Sequence, residues 1–356
     1  MSAQPLASEL RSSSAISLSV VICCYSAARR ALLDSAVAAV LAQLGSADEL
    51  IVVVDGHVDS DAEGCVEGRA EGDAMYRALA AAYTDRMQLV RNRFRPGLSG
   101  ARNTGLQLAT REIMVFLDDD AELALGALDD VRAAFTDPTL TALGGAVHPS
   151  WPSGRPPVWF PPEFGWVVGC DYRGLPPDGA TIRNPIGAAM AVRRAELAAV
   201  DGFSDRLGRV GSLPAGCEET MMGIQLARRD PRARIVRRTR FAVAHTVSVD
   251  RITVSYFVRR CFHEGRSKAV LSRLCGRAAA LESERTYATR TLPTGAWRAR
   301  RHPTRVLALI VGLMVTAAGY LAGAFTYFAG ATPHLAGALT YFAGAMEHFR
   351  SRSGTP

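Results

Sequence analysis

Lysine is nearly missing from this 356-residue chain: of 41 Lys and Arg residues, only Lys268 is a lysine. Arginine and alanine dominate, as GC-rich coding produces, so no single arginine run carries much weight. The seven cysteines, Cys23, Cys24, Cys65, Cys170, Cys217, Cys261 and Cys275, form no C-x-x-C pair. Their odd number and their spacing argue against a zinc site and a disulfide framework, and they read as reduced cytosolic thiols. Residues 1–16 hold no apolar core, so a disordered tail is expected there rather than a cleaved secretory signal. Neither G-x-G-x-x-G nor a P-loop lysine occurs, which leaves dinucleotide binding and ATP hydrolysis unsupported. No nucleic-acid-binding motif occurs either, and no nucleic-acid partner is expected.

Charged residues are absent from residues 306–345. Residues 306–330 alone exceed the roughly 20 apolar residues that cross a bilayer, so a transmembrane helix is expected there. Its LAGAFTYFAGA string recurs as LAGALTYFAGA after Thr332-Pro333-His334, and residues 331–356 are expected to hold a second, interfacial or re-entrant segment and a tail. Gly319 and Gly323 permit a close helix contact, though small residues are common in spanning helices and do not by themselves argue dimerisation.

The net charge of +7 is concentrated just before this stretch, where residues 251–305 carry thirteen basic side chains against Glu264, Glu282 and Glu284. That pattern reads as a basic juxtamembrane helical segment. Arg298, Arg300, Arg301 and Arg305 precede the apolar run and only Arg350 and Arg352 follow it, which puts the rest of the chain on the cytosolic face of a cytoplasmic membrane. The arginines of residues 228–240 read as a solvated surface around a helix end.

Residues 17–250 form the expected main folded domain. Buried β-branched runs at residues 17–24, 49–55, 87–91 and 113–117 alternate with helical spacing, which predicts an α/β domain with a doubly wound, mostly parallel sheet. Residues 149–178 hold eight prolines with Trp151, Trp159 and Trp166, and read as a substrate-side loop region. A further strand is expected at 186–192. Residues 218–229 read as a helix, opening on acids and closing on arginines as its dipole favours.

The most informative string is Phe116-Leu117-Asp118-Asp119-Asp120, a buried strand running into three carboxylates. Ligands of open α/β sheets bind at the carboxyl ends of strands, and an oxygen-only acid cluster suits Mg²⁺ or Mn²⁺ carrying a diphosphate. An N-cap acid cluster is the competing reading. Upstream, Gly97-Leu98-Ser99-Gly100-Ala101-Arg102-Asn103 is a glycine-rich turn opening a helix, which offers backbone N–H groups to phosphate, with Arg102 as a charged contact.

These strings together, SVVICCY at 19–25, ELIVVVDG at 49–56, GLSGARNTGLQLATREIMVFLDDDAEL at 97–123 and GCEETMMGIQLARR at 216–229, resemble a family-2 glycosyltransferase of GT-A fold, of the membrane-anchored bacterial type. The resemblance implies a Rossmann-like nucleotide-sugar domain with Asp55, Arg102, Asn103, Asp118 and Gly187 at the donor. It implies a metal held by Asp118 and Asp120, with His245 as a further ligand, and the acid pair Glu218-Glu219 as source of the catalytic base. Val54 stands where many members have an acid, and Glu219 where the base is usually Asp. The processive Q-x-x-R-W string is missing, so one sugar per acceptor is expected.

The implied activity is inverting transfer from a nucleotide sugar, a UDP-sugar by expectation, to a membrane-associated or lipid-linked acceptor. A polyprenyl-phosphate acceptor is the close alternative. A sugar-phosphate nucleotidyltransferase is the alternative from another class, and a non-catalytic membrane scaffold a third.

Overall fold

The computed structural model describes residues 16–55, 74, 76–82, 87–209 and 215–330. Most of the expected N-terminal tail, Cys65 and the second apolar segment lie outside the described residues.

Strand β1, Leu18–Cys24, is buried along its whole length and lies between β2, Glu49–Val54, and β4, Ile113–Asp118, with parallel pairing to both. β3, Gln88–Arg91, pairs parallel outside β2. Continuous Val, Ile and Leu suit strands covered on both faces. Two apolar clusters provide that cover: α1, Arg30–Leu41, contributes Leu33, Val37 and Val40 to one face, and α2, Leu98–Leu108, contributes Ala101 to the other. Gly105 of α2 lies so near β1 that an added Cβ would come within 2.5 Å of Val21 Cγ1, so only glycine allows this approach.

Beyond β4 the sheet is mixed. Its order is β3-β2-β1-β4-β7-β6-β8-β5, with β7, Ala189–Arg193, antiparallel to β4. β6, Leu140–Ser150, runs antiparallel to β7, and β8, Arg234–Thr246, runs parallel to β6. The short β5, Ala121–Leu123, closes the edge antiparallel to β8, and α3, Ala127–Phe135, follows it.

β6 and β8 are the longest described strands, and periodicity marked neither. Gly144, Gly145 and Pro149 in β6 look like strand breakers, yet the glycines are required: an added Cβ would come 2.7 Å from Ile182 Cδ1 at Gly144 and 2.5 Å from Phe241 O at Gly145. The arginines of residues 228–240 are largely β8 rather than a helix end. Arg237 pairs with Asp171 at 2.6 Å and Arg238 with Asp130 at 2.9 Å.

Residues 149–178 are ordered by aromatic packing and a 3₁₀ helix, Pro162–Val168. Trp159 and Phe164 meet Phe257 of α5, Val254–Cys275, at 5.5 and 5.1 Å. α4, Glu218–Arg229, has the bounds its sequence predicts. α6, Pro303–Gly330, includes the one described stretch long and apolar enough to cross a membrane, Pro303–Phe325, whose most apolar 18 residues have a mean hydropathy of 2.1. It does not stand clear of the domain, because it runs beside α5. A Cβ at Gly265 would collide with Thr316 O, and one at Gly319 with Phe262 O, while one at Gly323 would come within 2.9 Å of Ala269 Cβ. The close contact expected of Gly319 and Gly323 is thus made within the chain.

Candidate active site

The carboxyl ends of β1, β2 and β4 open into a cleft of about 1300 Å³. Asp55, directly after β2, accepts from Asn92 Nδ2 at 2.8 Å and from the Gly97 amide at 2.9 Å. It therefore anchors the turn that starts α2, where Gly97 has φ +130° and needs no side chain.

β4 delivers Asp118, Asp119 and Asp120 to the cleft. The antiparallel pairing of β5 with β8 sets Ala121 opposite His245, and this register brings His245 Nε2 to 3.1 Å from Asp120 Oδ1. One ligand atom from each of Asp118, Asp120 and His245 falls within 4.8 Å of the others. Two carboxylate oxygens and one imidazole nitrogen fit a divalent cation. The fit is supported by Asp119 Oδ2, a buried acceptor with no hydrogen-bond partner beside the cluster.

Sequence reading missed the cations here. Arg29 pairs with Asp119 at 2.6 Å and also with Asp120, and Arg251 lies 3.6 Å from Asp120. Arg29 closes the short 3₁₀ turn Ala27–Arg29 in the loop that leaves the carboxyl end of β1, the side where ligands of such sheets bind. Burial and the neighbouring Asp120 and Asp118 charges push Asp119 up to about 7, with Arg29 opposing. Burial disfavours charge on His245, but the Asp120 carboxylate outweighs it and raises the imidazole to about 10. A metal at His245 would displace that proton.

Arg102 is 2% exposed and serves as a buried hub. Its Nη1 reaches Glu218 at 3.1 Å and Glu219 at 3.0 Å, and its Nη2 lies 3.5 Å from Asp118. One guanidinium thus joins the acids after β4 to the acid pair opening α4. Gly187 lies against this hub, where an added Cβ would collide with Glu219 Oε1 and Arg102 Nη2. Asn103 faces elsewhere, holding Phe203 by its carbonyl at 2.8 Å and its amide at 2.8 Å. Of the acid pair, Glu218 is the buried member: burial first, then Glu219, push it up to about 8, and its Oε2 has no partner. Glu219 keeps 16% side-chain exposure toward the cleft.

The basic segment also enters the cleft. Arg183 makes a two-pronged contact with Glu284 at 2.9 Å, Lys268 reaches Glu284 at 2.6 Å, and Arg260 pairs with Glu264 at 2.8 Å. Trp166, Tyr172 and Leu175 of the aromatic loop line the same space, as do Leu313, Thr316, Ala317, Tyr320 and Leu321 of α6.

The family model Glycosyl transferase family 2 matches residues 19–195. Over 258 residues the chain is 30% identical to the glucosyl-dolichyl phosphate glucuronosyltransferase of Haloferax volcanii, covering 72% of this chain and 78% of that protein. Among solved structures it resembles a mannosyltransferase from Pyrobaculum calidifontis in complex with GDP-Man and Mn²⁺. The TM-score is 0.53 at 19% identity, over 85% of this chain and 86% of that one, and it shows a shared GT-A fold.

Proposed function

The chain belongs to glycosyltransferase family 2, and from that premise we propose that it transfers a single sugar, with inversion, from a UDP-sugar to a hydroxyl of a lipid-linked acceptor. The observation that carries this reading is one cleft lined by Asp118, Asp120 and His245, by Glu219, and by the apolar helix α6. Asp55, Arg102, Asp118 and Gly187 form or support the donor side, whereas Asn103, expected there from the sequence, is spent on the Phe203 backbone. Asp118, Asp120 and His245 would hold Mg²⁺ or Mn²⁺, which supplies neutralisation of the diphosphate as it leaves. Glu219 takes the acceptor proton, being the acid that faces the cleft, while Glu218 stays protonated behind it and Arg102 holds both in place. The Haloferax relative's name, a glucuronosyl transfer onto glucosyl-dolichyl phosphate, supports a sugar hydroxyl on a lipid carrier as acceptor. The catalytic domain faces the cytosol, where nucleotide sugars are made, and is held at the membrane by α6. A nucleotidyltransferase falls with the family assignment.

The test is sugar transfer to lipid extracts from a panel of nucleotide sugars, with and without divalent ions. Asp120→Ala is expected to abolish transfer with the fold intact, and unchanged turnover would overturn the metal assignment. Glu219→Gln is expected to cost about 10²- to 10⁴-fold, the usual worth of a general base. A loss of only a few-fold would favour an acceptor already ionised, a polyprenyl phosphate.

A further inference from the structure

Helix α6 has two sharply different faces. Ala308, Leu309, Gly312, Gly319 and Gly323 are buried, whereas Leu307, Ile310, Met314, Leu321 and Phe325 are 50–66% exposed. The exposed set is spaced by three, four, seven and four residues, whole turns of the helix, and forms one apolar ridge along it. Beside it, α5 exposes Arg259, Arg266 and Arg273 at intervals of seven residues, a basic rail parallel to the ridge. The two helices are in register over most of the rail: Gly312 approaches Phe257, Gly319 approaches Phe262, and Gly323 approaches Arg266 and Ala269. Trp297 is 66% exposed just before α6, with Arg298, Arg300 and Arg301 around it.

A helix that crosses a bilayer is surrounded by hydrocarbon or apolar neighbours. α6 instead has one side fastened along α5, whose outer face is arginine and whose inner face carries Arg260, Glu264 and Lys268. To span, α6 would have to peel off α5 or draw those charges into the hydrocarbon, and charged groups there are strongly disfavoured. An apolar ridge beside a basic rail is the pattern of a helix lying in the plane of an anionic lipid surface.

We propose that α6 and α5 together form a docking face that lies flat in the headgroup boundary of an anionic bilayer, with α6 in the membrane plane rather than across it. This rests on the lipid-acceptor reading above and adds a route to it. Leu313, Ala317 and Leu321 lie both on or beside the ridge and in the wall of the active-site cleft. The cleft therefore opens at the lipid surface, and an acceptor headgroup reaches Glu219 while its tail stays in the membrane.

Two measurements on the full chain test this. With Cys65 replaced by serine and the other thiols buried, a fluorophore is placed on a cysteine at position 307, 314 or 325 in vesicles of phosphatidylcholine and phosphatidylglycerol. Quenching by lipids brominated at different depths is then read. Equal, shallow depths at all three positions are expected. A probe at 314 near the bilayer centre, with 307 and 325 shallow in opposite leaflets, would overturn the proposal. In the second measurement, Arg259→Gln with Arg266→Gln is expected to weaken binding to anionic vesicles about thirty-fold, from the usual worth of two surface arginines. Undiminished binding would also overturn it. Nucleotide-sugar turnover on a short-chain acceptor in detergent needs no bilayer and is expected to be unchanged in that variant. If wild type shows no such turnover, the lipid-acceptor reading fails while the depth profile still decides the docking.

Discussion

At the scale of single residues, Arg102 carries more than any other side chain. Asp118, Glu218 and Glu219 all lie within 3.5 Å of its guanidinium, which is buried together with Glu218. Removing one partner of a buried charge cluster leaves the others uncompensated, at a cost of about 3–5 kcal/mol. Arg102→Met is therefore expected to lower the thermal midpoint by many degrees, and adding Glu219→Gln to it should recover part of the loss, as calorimetry would show. Wild-type stability in Arg102→Met would mean the acids neutralise themselves by protonation alone.

Glu218 itself gives a pH signature. Burial raises its folded-state value from 4.5 to about 8, so the fold tolerates the protonated form better than the charged one. The unfolded chain releases this proton near 4.5 and the folded chain only near 8. The contribution is thus fully present below 4.5 and is lost as pH rises through about 8. The slope from this one group is at most about 1.4 kcal/mol per pH unit. Unfolding by denaturant across pH 5 to 8 should show this decline in wild type, and Glu218→Gln should flatten it.

At the scale of elements, close backbone approach sets the rules. Gly319 faces the α5 backbone at Phe262, so Gly319→Leu forces α6 away and is expected to cost about 1–3 kcal/mol. Ala318, one residue along, is exposed, and Ala318→Leu should leave the thermal midpoint unchanged. Equal effects in both variants would mean that α6 is not fastened to α5.

Elements also show what the sequence could convey. β1, β2, β4 and α4 were legible nearly to the residue, because buried β-branched runs and an acid-to-arginine helix are local patterns. β6 and β8 were not, since their glycines and arginines answer to the 180–185 loop, Asp171 and Asp130, which are distant in sequence. The same holds for the site. The acids announced themselves as strings, but Glu218 lies 116 residues from Arg102, and only the β5–β8 register puts His245 beside Asp120.

At the scale of the whole molecule, α5 links otherwise separate regions. Its Ser267 hydroxyl accepts from the Gly216 amide at 3.3 Å and its Glu264 from the Cys217 thiol at 3.5 Å, so it supports the turn into the acid pair. Its other side holds α6. Cutting the chain before Pro303 to make a soluble enzyme would strip Gly312 from Phe164 and Phe257, take Leu309 out of the core and bare one wall of the cleft. Such a fragment is expected to aggregate on size-exclusion chromatography. The workable route to a detergent-free enzyme keeps the helix and repaints it. A chain ending after residue 330, with Leu307, Ile310, Met314 and Phe325 changed to glutamate or lysine, should run as a single folded species and still bind its donor.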